Sequence, residues 1–156
     1  MRFLNMLIVA LLGLTTPLLA EMSDRDGWAV IKTEMAHADL VASTRAAIKE
    51  NGLIVVTQAG PTKAAAARGI EIPGNTVIGA FNNDFAVRLL TLSTPAMIEA
   101  PIRFYVTENA DGTATLSYKT PSFVLAPYVE GEDAISAIST ELDTLFAQVA
   151  AQATAP

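Results

Sequence analysis

Residues 4–14 are apolar at nearly every position, and nothing later in the chain is so uniform. After Glu21 the apolar residues break into short runs and periodic stripes, the pattern of alternating strands and helices. Residues 28–34 read as a first strand. Asp39 can cap a helix running to Asn51, with Leu40, Val41, Thr44, Ala47 and Ile48 on its inward side. Gly52 can take the left-handed position beyond the helix end, and Leu53 can fold back onto the last turn. Residues 53–57 form a continuous, largely β-branched run and predict a buried strand. Thr62 opens an alanine-rich helical stretch over residues 63–68, closed by Gly69, with little to bury. Pro73-Gly74-Asn75 is a turn, and residues 76–81 form the next strand.

Asn82-Asn83-Asp84 reads as a helix start. Residues 85–92 then carry an apolar face at Phe85, Leu89 and Leu92, and Pro95 begins a short turn through Ile98. Residues 102–107 alternate, with Arg103, Tyr105 and Thr107 on one side and Phe104 and Val106 on the other. Asn109-Ala110-Asp111-Gly112 turns this strand into a returning one, residues 113–118. Residues 121–128 read as irregular. Residues 132–151 predict a long amphipathic helix, with Ile135, Ile138, Leu142, Leu145, Phe146 and Val149 on one face, and residues 152–156 are expected to fray. The order is β-α-β4-α. It predicts an α+β fold, an antiparallel sheet with helices packed on one face.

The first apolar run has a different meaning. Arg2 gives it a positive start, Pro17 interrupts it, and Ala20 precedes the polar run Glu21-Met22-Ser23-Asp24. This is the layout of a secretory signal peptide over residues 1–20, too short for a comfortable membrane span. It leaves one domain, residues 21–156, expected in the periplasm if the cell is bacterial, with no membrane anchor in the mature form. The chain has no cysteine, which excludes disulfides, thiolate metal sites and lipoprotein anchoring. It holds 10 Lys+Arg against 16 Asp+Glu, a formal net charge of −6. Losing Arg2 with the leader makes the mature chain one charge more negative. Such a surface repels phosphate backbones, so nucleic acid is not an expected partner.

Several strings in this order resemble the domain-of-unknown-function family 302, over residues 40–128. They are Gly52-Leu53-Ile54-Val55 after a helix, Phe81-Asn82-Asn83 at a strand end, and Glu99-Ala100-Pro101 before a strand. Then come Asp111-Gly112 in a hairpin and Tyr118-Lys119-Thr120-Pro121. The resemblance implies a β-α-β4-α domain related in shape to TATA-binding-protein-like folds, and a tendency to dimerise. It implies no settled activity. Many members carry a histidine soon after the second strand; here that stretch, Gln58-Ala59-Gly60-Pro61-Thr62, has none.

No nucleophile elbow, phosphate-binding glycine loop, dinucleotide fingerprint or His-Glu-x-x-His occurs, and no cofactor or catalytic residue is expected. Asn82, Asn83, Asp84 and Arg88 cluster beside helix N–H donors, where they could hold a small polar ligand; the plain alternative is that Asn83 or Asp84 simply caps the helix. Arg103 could serve a ligand or pair across the hairpin. Glu99 and Tyr118 complete the candidate ligand or interface set, Tyr118 beside Pro121 suiting a pocket edge or a subunit contact. His37, the only histidine, and Met35 are weak metal candidates; an exposed histidine before a helix is the plain alternative. The sequence favours an exported, non-enzymatic binding or interaction domain, dimeric, with an unknown small ligand or protein partner. The alternative is a periplasmic accessory enzyme, or a metal- or haem-related carrier, using His37 or the Asn82–Arg88 cluster. N-terminal sequencing of the mature protein is expected to begin at Glu21 or within one or two bonds of it. A mature chain that begins at Met1 contradicts cleavage.

Overall fold

The computed structural model describes residues 22–128 and 133–156. The expected signal peptide, and Glu132 as first residue of the last helix, lie outside the described residues. The strands are β1 (Trp28–Ala36), β2 (Ile54–Ala59), β3 (Asn75–Phe81), β4 (Ile102–Glu108) and β5 (Thr113–Lys119). They form one sheet in the order β1-β5-β4-β3-β2, antiparallel at every neighbouring pair. The helices are α1 (His37–Glu50), α2 (Thr62–Ala66), α3 (Asn83–Leu92), α4 (Pro121–Leu125) and α5 (Asp133–Ala153). Short 3-10 turns cover Pro95–Glu99 and Ala126–Tyr128. This is the α+β fold that the periodicities predict.

Strand alternation sends Ile78, Ala80, Phe104, Val106, Ala114, Leu116 and Tyr118 to one face of the sheet. There they meet Leu40, Ala47 and Ile48 of α1 and Phe146, Val149 and Ala150 of α5, all buried. At the centre Phe104 stacks on Phe146 with ring centroids 4.7 Å apart and planes 12° apart. Tyr118 tilts against both, at 5.2 and 5.8 Å. Each such aromatic pair adds roughly 0.5–1.5 kcal/mol beyond the area it buries. A smaller second core, with Leu89, Ala96, Leu125, Ile135, Ile138 and Leu142, joins α3, the first 3-10 turn, α4 and α5.

The end of α1 follows the predicted chemistry. Gly52 has φ +74°, its N–H donates to Lys49 O, and Leu53 N–H donates to Ile48 O, the paired bonds of a Schellman motif. Its start does not. The helix begins at His37, Ala36 is an N-cap without a side-chain bond, and Asp39 sits in the first turn. There a carboxylate favours the helix dipole without capping it.

Three further expectations are corrected. The apolar run after Gly52 is not a buried strand: β2 is an edge strand, with Ile54 57% and Val56 47% exposed. Leu53, just before it, is buried in the core, and Val55 packs against the core while half-buried. A continuous apolar run fits a strand buried on both faces, but here no strand flanks the outer side of β2 among the described residues. Residues 121–128 are not irregular. Thr120 caps α4, its Oγ1 accepting from Phe123 N–H, with Pro121 in the first turn. Finally, Gln152 and Ala153 do not fray. Ala153 is fully buried, its carbonyl accepts from Ser43 Oγ at 2.8 Å, and Asn51 Nδ2 donates to Gln152 Oε1 at 2.8 Å. The last turn of α5 is docked on α1.

Candidate functional site

The strand ends and the helices after them decide which polar side chains are committed to the fold. The N-cap of α3 is Asn82, not Asn83 or Asp84: its Oδ1 accepts from the N–H groups of Asp84 (2.9 Å) and Phe85 (3.2 Å). Its Nδ2 donates to Gly52 O at 3.1 Å, fastening the start of α3 to the turn after α1. Asn83 and Asp84 are exposed on the first turn. Arg88, one turn on, makes a two-pronged contact with Glu141 of α5, both bonds 2.8 Å. This bond holds the Glu141 carboxyl below the usual carboxylate range. A depressed carboxyl contributes stability above its unfolded pKa and loses it as pH falls through the folded value. At this exposed position solvent and salt screen the effect. Asn82 and Arg88 thus tie elements together, in different directions.

His37 is half-buried, not exposed: it packs over Gly74, and its Nε2 lies 3.3 Å from Thr76 Oγ1. Among the described residues no group of three or more His, Cys, Asp or Glu could hold a metal ion.

Among the described residues, the other face of the sheet carries no helical layer of the main core. Trp28 pairs with Lys119, and Gly79 with Arg103. The Phe104–Tyr118 pair makes Arg103 and Lys119 direct neighbours across the β4–β5 hairpin. The row across this open face is therefore Trp28, Lys119, Arg103, Gly79. The next row is Val30, Ser117, Tyr105, Val77. Gly79 has no alternative here, because a Cβ would lie 2.2 Å from Thr57 Oγ1 and 2.8 Å from Pro101 Cγ.

A hollow of about 390 Å³ opens over these rows, lined by Trp28, Asn75, Glu99, Arg103, Tyr105 and Lys119 among others. The 3-10 turn before β4 brings Glu99 to its rim, and α4 brings Val124. Glu99 Oε1 accepts from Tyr128 Oη at 2.9 Å, and this bond raises the Tyr128 pKa above the ordinary phenol value. Asn75 Nδ2 donates to Tyr105 Oη at 2.5 Å. Tyr118 also lines the hollow, but its ring belongs to the core. Burial first, and then the charge of Asp143, push its phenol pKa up.

Of the sequence candidates, Glu99, Arg103 and Tyr118 come together here, while Asn83, Asp84 and Arg88 do not line it. Asn82 and Glu99 border a narrow apolar crevice of about 50 Å³ between the two cores. Trp28, Asn75, Tyr105 and Lys119 were not among the sequence candidates. The hairpin turn held a signal for one of them: counting back from Asp111-Gly112 sets Arg103 opposite Lys119.

A family model described as "Domain of unknown function DUF302" matches residues 30–153. The chain belongs to the DUF302 family. A crystal structure of a conserved DUF302 protein from Bacillus stearothermophilus is similar, with a TM-score of 0.70 at 15% identity, covering 82% of this chain and 99% of that one. At that identity the likeness is one of fold. No curated protein sequence matches significantly. Within this DUF302 chain, Asn82→Ala is expected to cost about 1 kcal/mol of stability in urea denaturation, the ordinary value of an N-cap. A change within experimental error would show that Asn82 does not fasten α3.

Proposed function

We propose that the mature chain is an exported, non-enzymatic binding domain that works as a homodimer and takes its ligand in the hollow on the open sheet face. The hollow carries this reading. It is of ligand size, walled by an aromatic ring and apolar side chains, and ringed by a few polar groups that point into it. Polar groups elsewhere that sequence patterning suggested are tied up in the fold: Asn82 in its cap, Arg88 with Glu141.

The two sheet edges support the dimer. Both edge strands carry an irregularity, β1 between Thr33 and Ala36 and β2 between Val55 and Thr57, but β1 also carries Lys32 and Glu34, charges that discourage edge pairing. β2 reads Ile-Val-Val-Thr-Gln-Ala, without charge or proline, and its Ile54 and Val56 are exposed. A strand of this kind is suited to pair with its own copy about a two-fold axis. The pairing would leave the hollow, on the sheet face, accessible.

Light scattering of the mature protein is expected to give twice the mass of one mature chain, and Val56→Lys to give a folded single chain. A wild-type mass of one chain at every concentration contradicts the dimer, and a dimeric Val56→Lys contradicts the β2 edge. Native mass spectrometry of protein purified from its own compartment is expected to show a retained small molecule. Its absence, with no small molecule binding to the purified protein, contradicts the binding role.

A further inference from the structure

Resting on the reading of the hollow as a binding site, we propose that its ligand is a small organic anion. Its carboxylate or phosphate head sits between Arg103 and Lys119, and its flat apolar body lies against Trp28. Arg103 and Lys119 occupy adjacent strands, on one face, directly opposed. Like charges so placed are unfavourable in a sheet. The chain has acidic residues in excess, yet neither cation has an ion-pair or hydrogen-bond partner among the described residues. The carboxylate that does reach the hollow, Glu99, already accepts the Tyr128 hydroxyl. The missing negative charge is therefore one that a guest would bring.

The rest of the lining specifies the guest. A guanidinium presents a planar fork that matches two oxygens of a carboxylate or phosphate, while the lysine ammonium adds a mobile point charge. Tyr105 Oη accepts from Asn75, so its own O–H remains available to donate to an oxyanion. Trp28 lines the hollow as an aromatic wall, and two cations stand over its ring: Arg25 at 5.2 Å and Lys119 at 5.6 Å from the centroid. Val77 and Ile102 add apolar surface. The volume, about 390 Å³, fits a ring-bearing acid and not a polymer.

Trp28 is the only tryptophan, so its fluorescence reports this site alone. The test titrates the mature protein with benzoate, phenyl phosphate and neutral benzamide, with calorimetry in parallel. Both anions are expected to bind saturably, more weakly in high salt, and more tightly than benzamide. Arg103→Ala and Lys119→Ala are each expected to weaken anion binding roughly tenfold or more, with thermal unfolding near wild type. Arg45→Ala, on the exposed side of α1, is expected to bind as wild type. Anion affinity unchanged in both hollow variants, or no saturable binding of either anion, overturns the proposal. Benzamide binding as tightly as benzoate overturns the anion specificity and leaves the binding role standing. Native mass spectrometry tests that role separately.

Discussion

Phe104, Tyr118 and Phe146 meet where the middle of the sheet touches α5, and strand alternation carries that contact to the rest of the sheet. With Phe104 and Tyr118 turned toward the helices, Arg103, Tyr105, Ser117 and Lys119 must lie on the opposite face, where Arg103 and Lys119 are exposed, Tyr105 is half-buried and the small Ser117 is fully buried. The hairpin register then sets Arg103 beside Lys119 and Tyr105 beside Ser117. A one-residue slip would bury the two cations and expose the two rings, so the core enforces the composition of the open face. α1 and α5 close over one face and leave the other to be shaped by its own side chains, with the Pro95–Glu99 turn and α4 forming a rim.

The second core gives that rim its rigidity. Leu125 of α4 and Ala96 of the 3-10 turn are fully buried, packed with residues of α5. Asn82 caps α3 and holds it to the α1–β2 turn, and Arg88 joins α3 to α5. Asn82 and Arg88, two of the sequence candidates, thus make bonds within the scaffold, while the more plainly patterned β4–β5 hairpin supplies the floor of the hollow.

Much of the fold was legible because periodicity reports burial directly. The stripe on α5 and the alternation of residues 102–107 appear in the structure as patterned. The Asp111-Gly112 turn is built as expected: Gly112 has φ +85°, and Asp111 Oδ1 accepts from Thr113 N–H and Oγ1. Those bonds hold the Asp111 carboxyl below its ordinary range. Errors arose where one sequence pattern serves two environments. An apolar β-branched run can lie inside a sheet or at an open edge, and β2 is the second. A terminal stretch rich in alanine can fray or dock, and Ala153 docks because its small side chain fits against α1. The candidate site was legible only in part. Arg103, Glu99 and Tyr118 are distinctive residues near turns, but Trp28 reaches the hollow through β1–β5 pairing, a contact between residues about ninety positions apart. No local pattern encodes such a pairing.

The aromatic cluster fixes the parity of the sheet, with one face closed by α1 and α5 and the other open among the described residues. The absence of cysteine allows a direct measurement, the thiol-labelling rates of two single-cysteine variants. Val77→Cys stands on the open face and Val106→Cys on the closed one, on neighbouring strands. Ready labelling is expected at position 77, and labelling at position 106 only through opening of the fold, slower by about a hundredfold or more. Equal protection of the two thiols, or faster labelling at 106, would contradict it.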